Sequence, residues 1–367
     1  MPPEPDPADR PAAPHAASGP ADRLSLRHRL VPVMALLLLA PWVAECSWGG
    51  FAIDDFLPVL VFLGPMYGGA AILIRETARR LGAGWPTIVL LAAAYGVLQA
   101  CLVDQSLFNL DHLDDTQYAD AAAADEATVV PGLGFSAGQA IDFVGNHVVL
   151  TICAPIVLVE SFLGADRRLR PWLRRPGLVV VGVLYLLGSL LIFSDSSGRK
   201  DFLASPLQLA VAAAMVLALA TAALLPRWRH PRPRPSLTGA ERRGSRAPHP
   251  LWVGLAVAVV PLGRELASGW AGVALAVTLA AGLGSLVAYW ASRAGWTQRH
   301  VLAAGSASLV MAAAFAYLVP PYSPGSPAAA LAGDIAVTVI TASLVVCAWW
   351  RLRAAPAGGG LRADHTP

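Results

Sequence analysis

The chain has 367 residues, 56 % of them hydrophobic and only 14 % charged, with a formal net charge of +3. A soluble domain carries nearer a quarter charged residues, so the usual soluble enzyme of two or three domains is excluded. Apolar runs long enough to cross a hydrocarbon core of about 30 Å recur along the whole length.

Residues 1–29 are rich in Pro, Ala and Asp and lack hydrophobic periodicity, which predicts a disordered cytosolic tail. Arg23, Arg27 and Arg29 precede the first apolar run as in a signal peptide, but Glu45 spoils the cleavage site at Ala44-Glu45-Cys46. An uncleaved first helix is expected. The apolar runs predict an all-α, polytopic transmembrane helix bundle of ten spans. They are Leu30–Cys46, Phe56–Ile74, Trp85–Val103, Ala137–Leu163, Gly177–Ser194, Pro206–Leu225, Leu251–Gly263, Gly269–Trp290, Val301–Val319 and Ala330–Trp350. The first six (30–225) and the last four (251–350) flank an Arg/Pro-rich linker, 226–250. A second tail covers 351–367.

Basic residues set the orientation. With the N-terminus in the cytosol, 24 of the 27 basic residues fall on that side, leaving Arg199, Lys200 and Arg264 outside. Ten spans with both termini cytosolic, in the cell membrane, follow from that split. The Pro226–Pro235 stretch alternates Arg and Pro and predicts an extended linker drawn to anionic lipid headgroups. The outer connection, Asp104–Phe135, is acidic and reads as a solvated loop; His112 among its scattered carboxylates is a weak metal signature. Arg264-Glu265 echoes Arg75-Glu76 across five spans, the pattern of an inverted repeat.

Polar side chains at membrane depth need partners, because hydrocarbon offers none. Counting helical rise from the span ends places Glu45, Gln99, Asp142, Asn146 and His147 in the outer half of the bilayer. Glu160 falls at the level of Arg75 and Arg79 and is expected to pair with either. Asp142 and Asn146 share a helix face, and His147 is turned about 140° from Asp142, so all three meet one ligand only if the helix deforms; Gly145 offers a place. Tyr95 and Gln99 share a face, beside Gly96. This predicts a polar pocket between spans one, three and four for a small molecule or proton, with His147 as its titrating group. Gly64-Pro65 should weaken span two, and the Arg75–Arg80 run reads as interfacial snorkelling.

The four cysteines form no C-x-x-C pair. There is no phosphate loop, no G-x-S-x-G elbow and no H-E-x-x-H. No cofactor, metal, catalytic residue or nucleic-acid partner is expected; the partners are the bilayer and an unidentified small molecule.

Two resemblances follow from motifs. Gly64-Pro65-Met66-Tyr67-Gly68, Ile74-Arg75-Glu76-x-x-Arg79-Arg80, Ala94-Tyr95-Gly96-Val97 and Ser106-Leu107-Phe108-Asn109 together resemble a family of bacterial multi-pass membrane proteins of no established activity, over residues 30–225. Relatives carry Glu-Glu where this chain has Gln99-Ala100, which implies altered activity if that pair matters. Glu76-x-x-x-Arg80 and Phe143-x-x-x-His147 are similar to two of the three motifs of the CAAX-protease and bacteriocin-processing family. That resemblance implies a membrane-embedded hydrolase, but Arg75 replaces its first Glu and the third motif is missing. Transport, hydrolysis and an assembly role are the readings left open.

Overall fold

A computed structural model describes residues 26–119, 126–199, 201–228, 246–264, 266–322 and 325–354. Most of the two tails and of the Arg/Pro linker, together with Glu265 of the repeat, lie outside these residues. Ten apolar helices are found among them. We number them α1 (Leu26–Cys46), α2 (Ile53–Arg80), α3 (Trp85–Val103), α4 (Ala137–Ser161), α5 (Arg175–Arg199), α6 (Pro206–Ala223), α7 (Pro250–Arg264), α8 (Gly269–Ala291), α9 (Gln298–Leu318) and α10 (Pro327–Ala354). Nine are long and apolar enough to cross a membrane; α7 is the short one. No strand occurs among the described residues, only two isolated bridges.

Local sequence explains the ends. Pro86 opens α3 at a position where its missing N–H costs nothing. Ser136 caps α4 by accepting from the Gln139 amide at 3.2 Å. Ser205 and Gln208 form a capping box at the start of α6, and Gln208 Nε2 also donates to the Leu133 carbonyl at 2.7 Å.

The helices alternate in direction, and loop contacts sort the connections onto two ends. At one end, the Thr87 hydroxyl donates to the Ala223 carbonyl at 3.0 Å, Gln298 Nε2 to Ser161 at 3.2 Å and Arg299 to the Leu352 carbonyl at 3.1 Å. At the other, the Tyr322 amide donates to Gly50 O at 2.9 Å, and the Ala204 amide to Gln105 Oε1 at 2.7 Å. The arginine-bearing connections after α2, α4 and α8 share the first end, and the described part of the acidic 104–136 connection occupies the second.

The first four helices and α9 are the centre of the bundle. Their apolar windows are 50 %, 50 %, 56 %, 44 % and 44 % buried, against 11 % for α5, α6 and α8 and 17 % for α10. Close approach is built in with glycine. A Cβ on Gly68 would sit 2.5 Å from the Leu37 carbonyl oxygen, so α1 and α2 touch backbone to backbone there.

Near the arginine-rich end the structure departs from expectation. Arg75 and Glu76 are fully buried and Arg79 nearly so; none of them snorkels. Glu160, also fully buried, accepts from Arg75 Nε at 3.1 Å and from Arg79 at 2.9 and 2.6 Å. Glu76 accepts from Arg75 at 2.7 Å, from the Trp172 and Leu173 amides at 2.8 and 3.2 Å, and from Arg80 at 3.5 Å. The Arg75 guanidinium stacks on the Trp172 ring, 3.5 Å from its centroid. Two buried carboxylates thus offset two buried guanidiniums, and the remaining donors go to backbone carbonyls, among them Arg168 O. Such a network persists because breaking it leaves an uncompensated charge.

Candidate functional site

Four segments of the central helices are π-helical: Trp42–Cys46, Gly64–Gly68, Gln99–Val103 and His147–Cys153. Their hydrogen bonds reach one residue further than in an α-helix, as between the Ser47 amide and Trp42 O (3.1 Å) and between the Asp104 amide and Gln99 O (3.0 Å). Proline sits in or near three of them (Pro41, Pro65 and Pro155), and its missing N–H loosens the ladder. Such turns are frequent at functional sites. Each of the four carries one polar residue of a single cluster: Glu45, Tyr67, Gln99 and His147.

The contacts are direct. The Tyr67 hydroxyl donates to Glu45 Oε1 at 2.5 Å. The His147 ring lies edge-on to Tyr67, centroids 5.8 Å apart, and 5.7 Å from the Tyr95 ring. Gln99 Nε2 donates to Asp104 Oδ2 at 3.3 Å, and the Ser106 amide to Asp104 Oδ1 at 2.9 Å. The Asp104 carboxylate is close enough to act electrostatically on Glu45, Tyr67, Tyr95 and His147. Gly96 brings α4 in: a Cβ there would meet Val144 at 3.1 Å and His147 Cβ at 3.2 Å.

Tautomer and amide orientation follow from these partners. His147 Nδ1 faces the Phe143 carbonyl at 2.6 Å. A carbonyl only accepts, so Nδ1 carries the proton and the neutral ring keeps its lone pair on Nε2. Three buried polar atoms, Tyr95 OH, Gln99 Oε1 and His147 Nε2, have no hydrogen-bond partner within the protein. Gln99 is fully buried and Tyr95 6 % exposed, whereas Glu45, Asp104 and His147 are only half-buried.

Beside the carboxylates, at the end of the acidic connection, stands an aromatic group. Tyr322 packs against Tyr118, Trp48 and Phe51 with centroids 5.2, 5.4 and 5.4 Å away. Tyr118 donates to the Pro320 carbonyl. Burial, and after it the charge of Glu45, raises the Tyr322 phenol well above its ordinary range. Burial alone pushes Tyr118 up to about 12.

Of the residues expected from sequence, Glu45, Gln99 and His147 meet. Asn146 does not: it is exposed on the outside of α4. Asp142, half-buried, shares its face one turn away. Helical irregularity begins at His147 and leaves Gly145 in regular helix. Sequence reasoning left Tyr67 out of the pocket and placed Asp104 only in a loop; prolines beside three of the four turns were the available signal. Glu76 and His147 stay apart. Tyr67, which faces His147, precedes Glu76 by nine residues, about 13 Å of helical rise, and both Glu76 oxygens are taken. No group of three or more His, Cys, Asp or Glu side chains is placed to hold a metal ion among the described residues.

The fold is that of a multi-pass helical membrane protein. No family model matches the chain, and neither a curated protein nor a solved structure is similar to it.

Proposed function

We propose that this protein is a permease-like, small-ligand-binding protein of the cell membrane, with its site at the Glu45–Tyr67–Tyr95–Gln99–Asp104–His147 cluster. One observation carries the reading. Polar atoms on α3 and α4 stand without protein partners beside two carboxylates, in the middle of the best-buried helices. A purely structural cluster satisfies its own donors and acceptors. The arginine-rich end faces the cytosol under the positive-inside rule, which puts the cluster in the outer half of the membrane, and we take the ligand to reach it from that side. Arg227, stacked on Trp228 at 4.3 Å, begins the linker that meets anionic headgroups.

Thiol labelling tests this. In a background with Cys46, Cys101, Cys153 and Cys347 replaced by serine, Asp104→Cys and His147→Cys are introduced singly. Both are expected to react with a membrane-impermeant maleimide added from the outside of intact cells. Failure of both to react, in protein that is inserted and monodisperse, overturns a ligand site open to the outside.

A further inference from the structure

We propose that a groove between α1, α2, α4 and α10 holds one anionic phospholipid, its acyl chain along α1 and its phosphate at Arg27 and Arg351. The site is separate from the polar cluster and from the Arg/Pro linker.

Shape comes first. The groove has a volume of about 480 Å³, and every residue that lines it is hydrophobic. Along α1 it runs from Val31 to Trp42, eleven residues apart. That is about 16 Å of helical rise, half of a hydrocarbon core of about 30 Å. The other walls agree on depth. Leu163 lies just past the end of α4 that belongs to the arginine-rich side, and Leu60 precedes the mid-helix turn of α2. The groove therefore starts at the arginine-rich end and stops near the middle of the bilayer, the depth of one leaflet. Val31, Leu38 and Ile340 in its walls are exposed, whereas Trp42 and Leu158 are buried. It thus has an open side and a floor, and on membrane spans the open side meets lipid.

Volume and composition choose the occupant. A helix of a second copy, about 10 Å across, would need about 1,200 Å³ over the same length and does not fit within it. The chain's own segments outside the described residues hold only four large apolar side chains, Met1, Leu24, Leu237 and Leu361, too scattered to fill it. A single hydrocarbon chain is narrow enough, long enough and apolar throughout.

Charge at the mouth selects the headgroup. Arg27 lies one turn before Val31, and Arg351 lies two turns beyond Leu344; each shares the helix face that lines the groove. Both arginines are exposed, and neither is in an ion pair among the described residues. Asp166 is the one described carboxylate at this end outside the buried arginine network, so cations outnumber anions there. Two guanidiniums at the mouth of an apolar slot suit a phosphate whose own chain fills the slot. A zwitterionic lipid would fill the slot equally but would bring an ammonium to the same arginines. Under the positive-inside rule this is the cytosolic leaflet, the one that carries anionic lipid.

Full-length protein is reconstituted in nanodiscs of phosphatidylglycerol and phosphatidylcholine, with identical chains and in equal amounts. It is then released into detergent, and the retained lipid is counted and identified by native mass spectrometry. One phosphatidylglycerol is expected per chain, favoured over phosphatidylcholine at least about tenfold, as two arginines near the surface would give. Ala35→Trp fills the groove from an exposed wall position and should abolish retention. Ala281→Trp, on the exposed face of α8, should leave it unchanged. Arg27→Gln combined with Arg351→Gln should keep one lipid and lose the preference. Equal retention of the two lipids by the unaltered protein overturns the anionic class. Retention that survives Ala35→Trp, or no retained lipid in folded, monodisperse protein, overturns the site. A dimer found in place of the lipid, and dissociated by Ala35→Trp, overturns it too and makes the groove an interface between copies.

Discussion

Tyr67 and Glu45 meet across α1 and α2, hydroxyl to carboxylate at 2.5 Å, at the point where both helices widen into π-helical turns. The bond ties the first helix to the second where their backbones already approach through Gly68. It is the one side-chain hydrogen bond found on Glu45 among the described residues.

Tyr67→Phe keeps the ring beside His147 and removes only the donor. A buried hydrogen bond contributes about 0.5–1.5 kcal/mol net. The variant should unfold in detergent at lower temperature by that equivalent. Unchanged stability would show that the bond does not tie α1 to α2.

The arginine network makes an opposite kind of demand. Glu160→Gln takes from Arg79 the carboxylate it pairs with and leaves Arg75 with Glu76, and breaking a buried pair costs about 3–5 kcal/mol. Glu160→Leu combined with Arg79→Leu restores the balance, since Arg75 and Glu76 remain paired at 2.7 Å. The double variant should therefore be more stable than Glu160→Gln alone in equilibrium unfolding. The reverse order would mean that Arg79 contributes packing rather than charge.

Gly96 is where α3 admits α4. Gly96→Val places methyl groups against Val144 and the His147 Cβ, which already lie 3.1 and 3.2 Å from a bare Cβ. Overpacking of this kind costs about 1–3 kcal/mol. It should lower the unfolding midpoint, while Gly145→Ala, with open space around its Cβ, should be tolerated. Equal midpoints for the two variants would show that Gly96 is not what brings α4 against α3.

Topology gives a prediction independent of any ligand. With Cys347 replaced, Asp114→Cys and Arg170→Cys, both exposed, should label from opposite faces of the membrane: Asp114 from outside, Arg170 only after permeabilisation. Labelling of both from one face would dismantle the depth assignments.

The spans were legible because an apolar run of membrane length has few alternatives; the expected third span, Trp85–Val103, coincides with the helix. The pairing of Glu160 with Arg75 and Arg79 was legible from helical rise alone. Their burial was not, because the groups that satisfy Glu76 are backbone amides at Trp172 and Leu173, about a hundred positions along the chain. Residues next to a membrane boundary look interfacial in sequence whether a loop folds over them or not. The cluster was half legible. Glu45, Gln99 and His147 announce themselves as polar groups in apolar runs, but a tyrosine such as Tyr67 passes for packing. Asn146 stays outside because the deformation that would be needed to bring it in begins only at His147, which leaves Asn146 on the face of Asp142.

Each widened turn holds one residue more than a regular helix would need, and a single residue corresponds to about 100° of rotation. Deleting Gly64 would let α2 close into regular helix with its two halves still in phase, because the residue removed is the one the wide turn absorbs. A one-residue deletion in the regular stretch beyond it, between Gly69 and Arg75, has no such slack and would turn Arg75 and Arg79 away from Glu160. The wide turn is thus the one place in α2 where the chain can lose a residue without unshipping the far end of the helix.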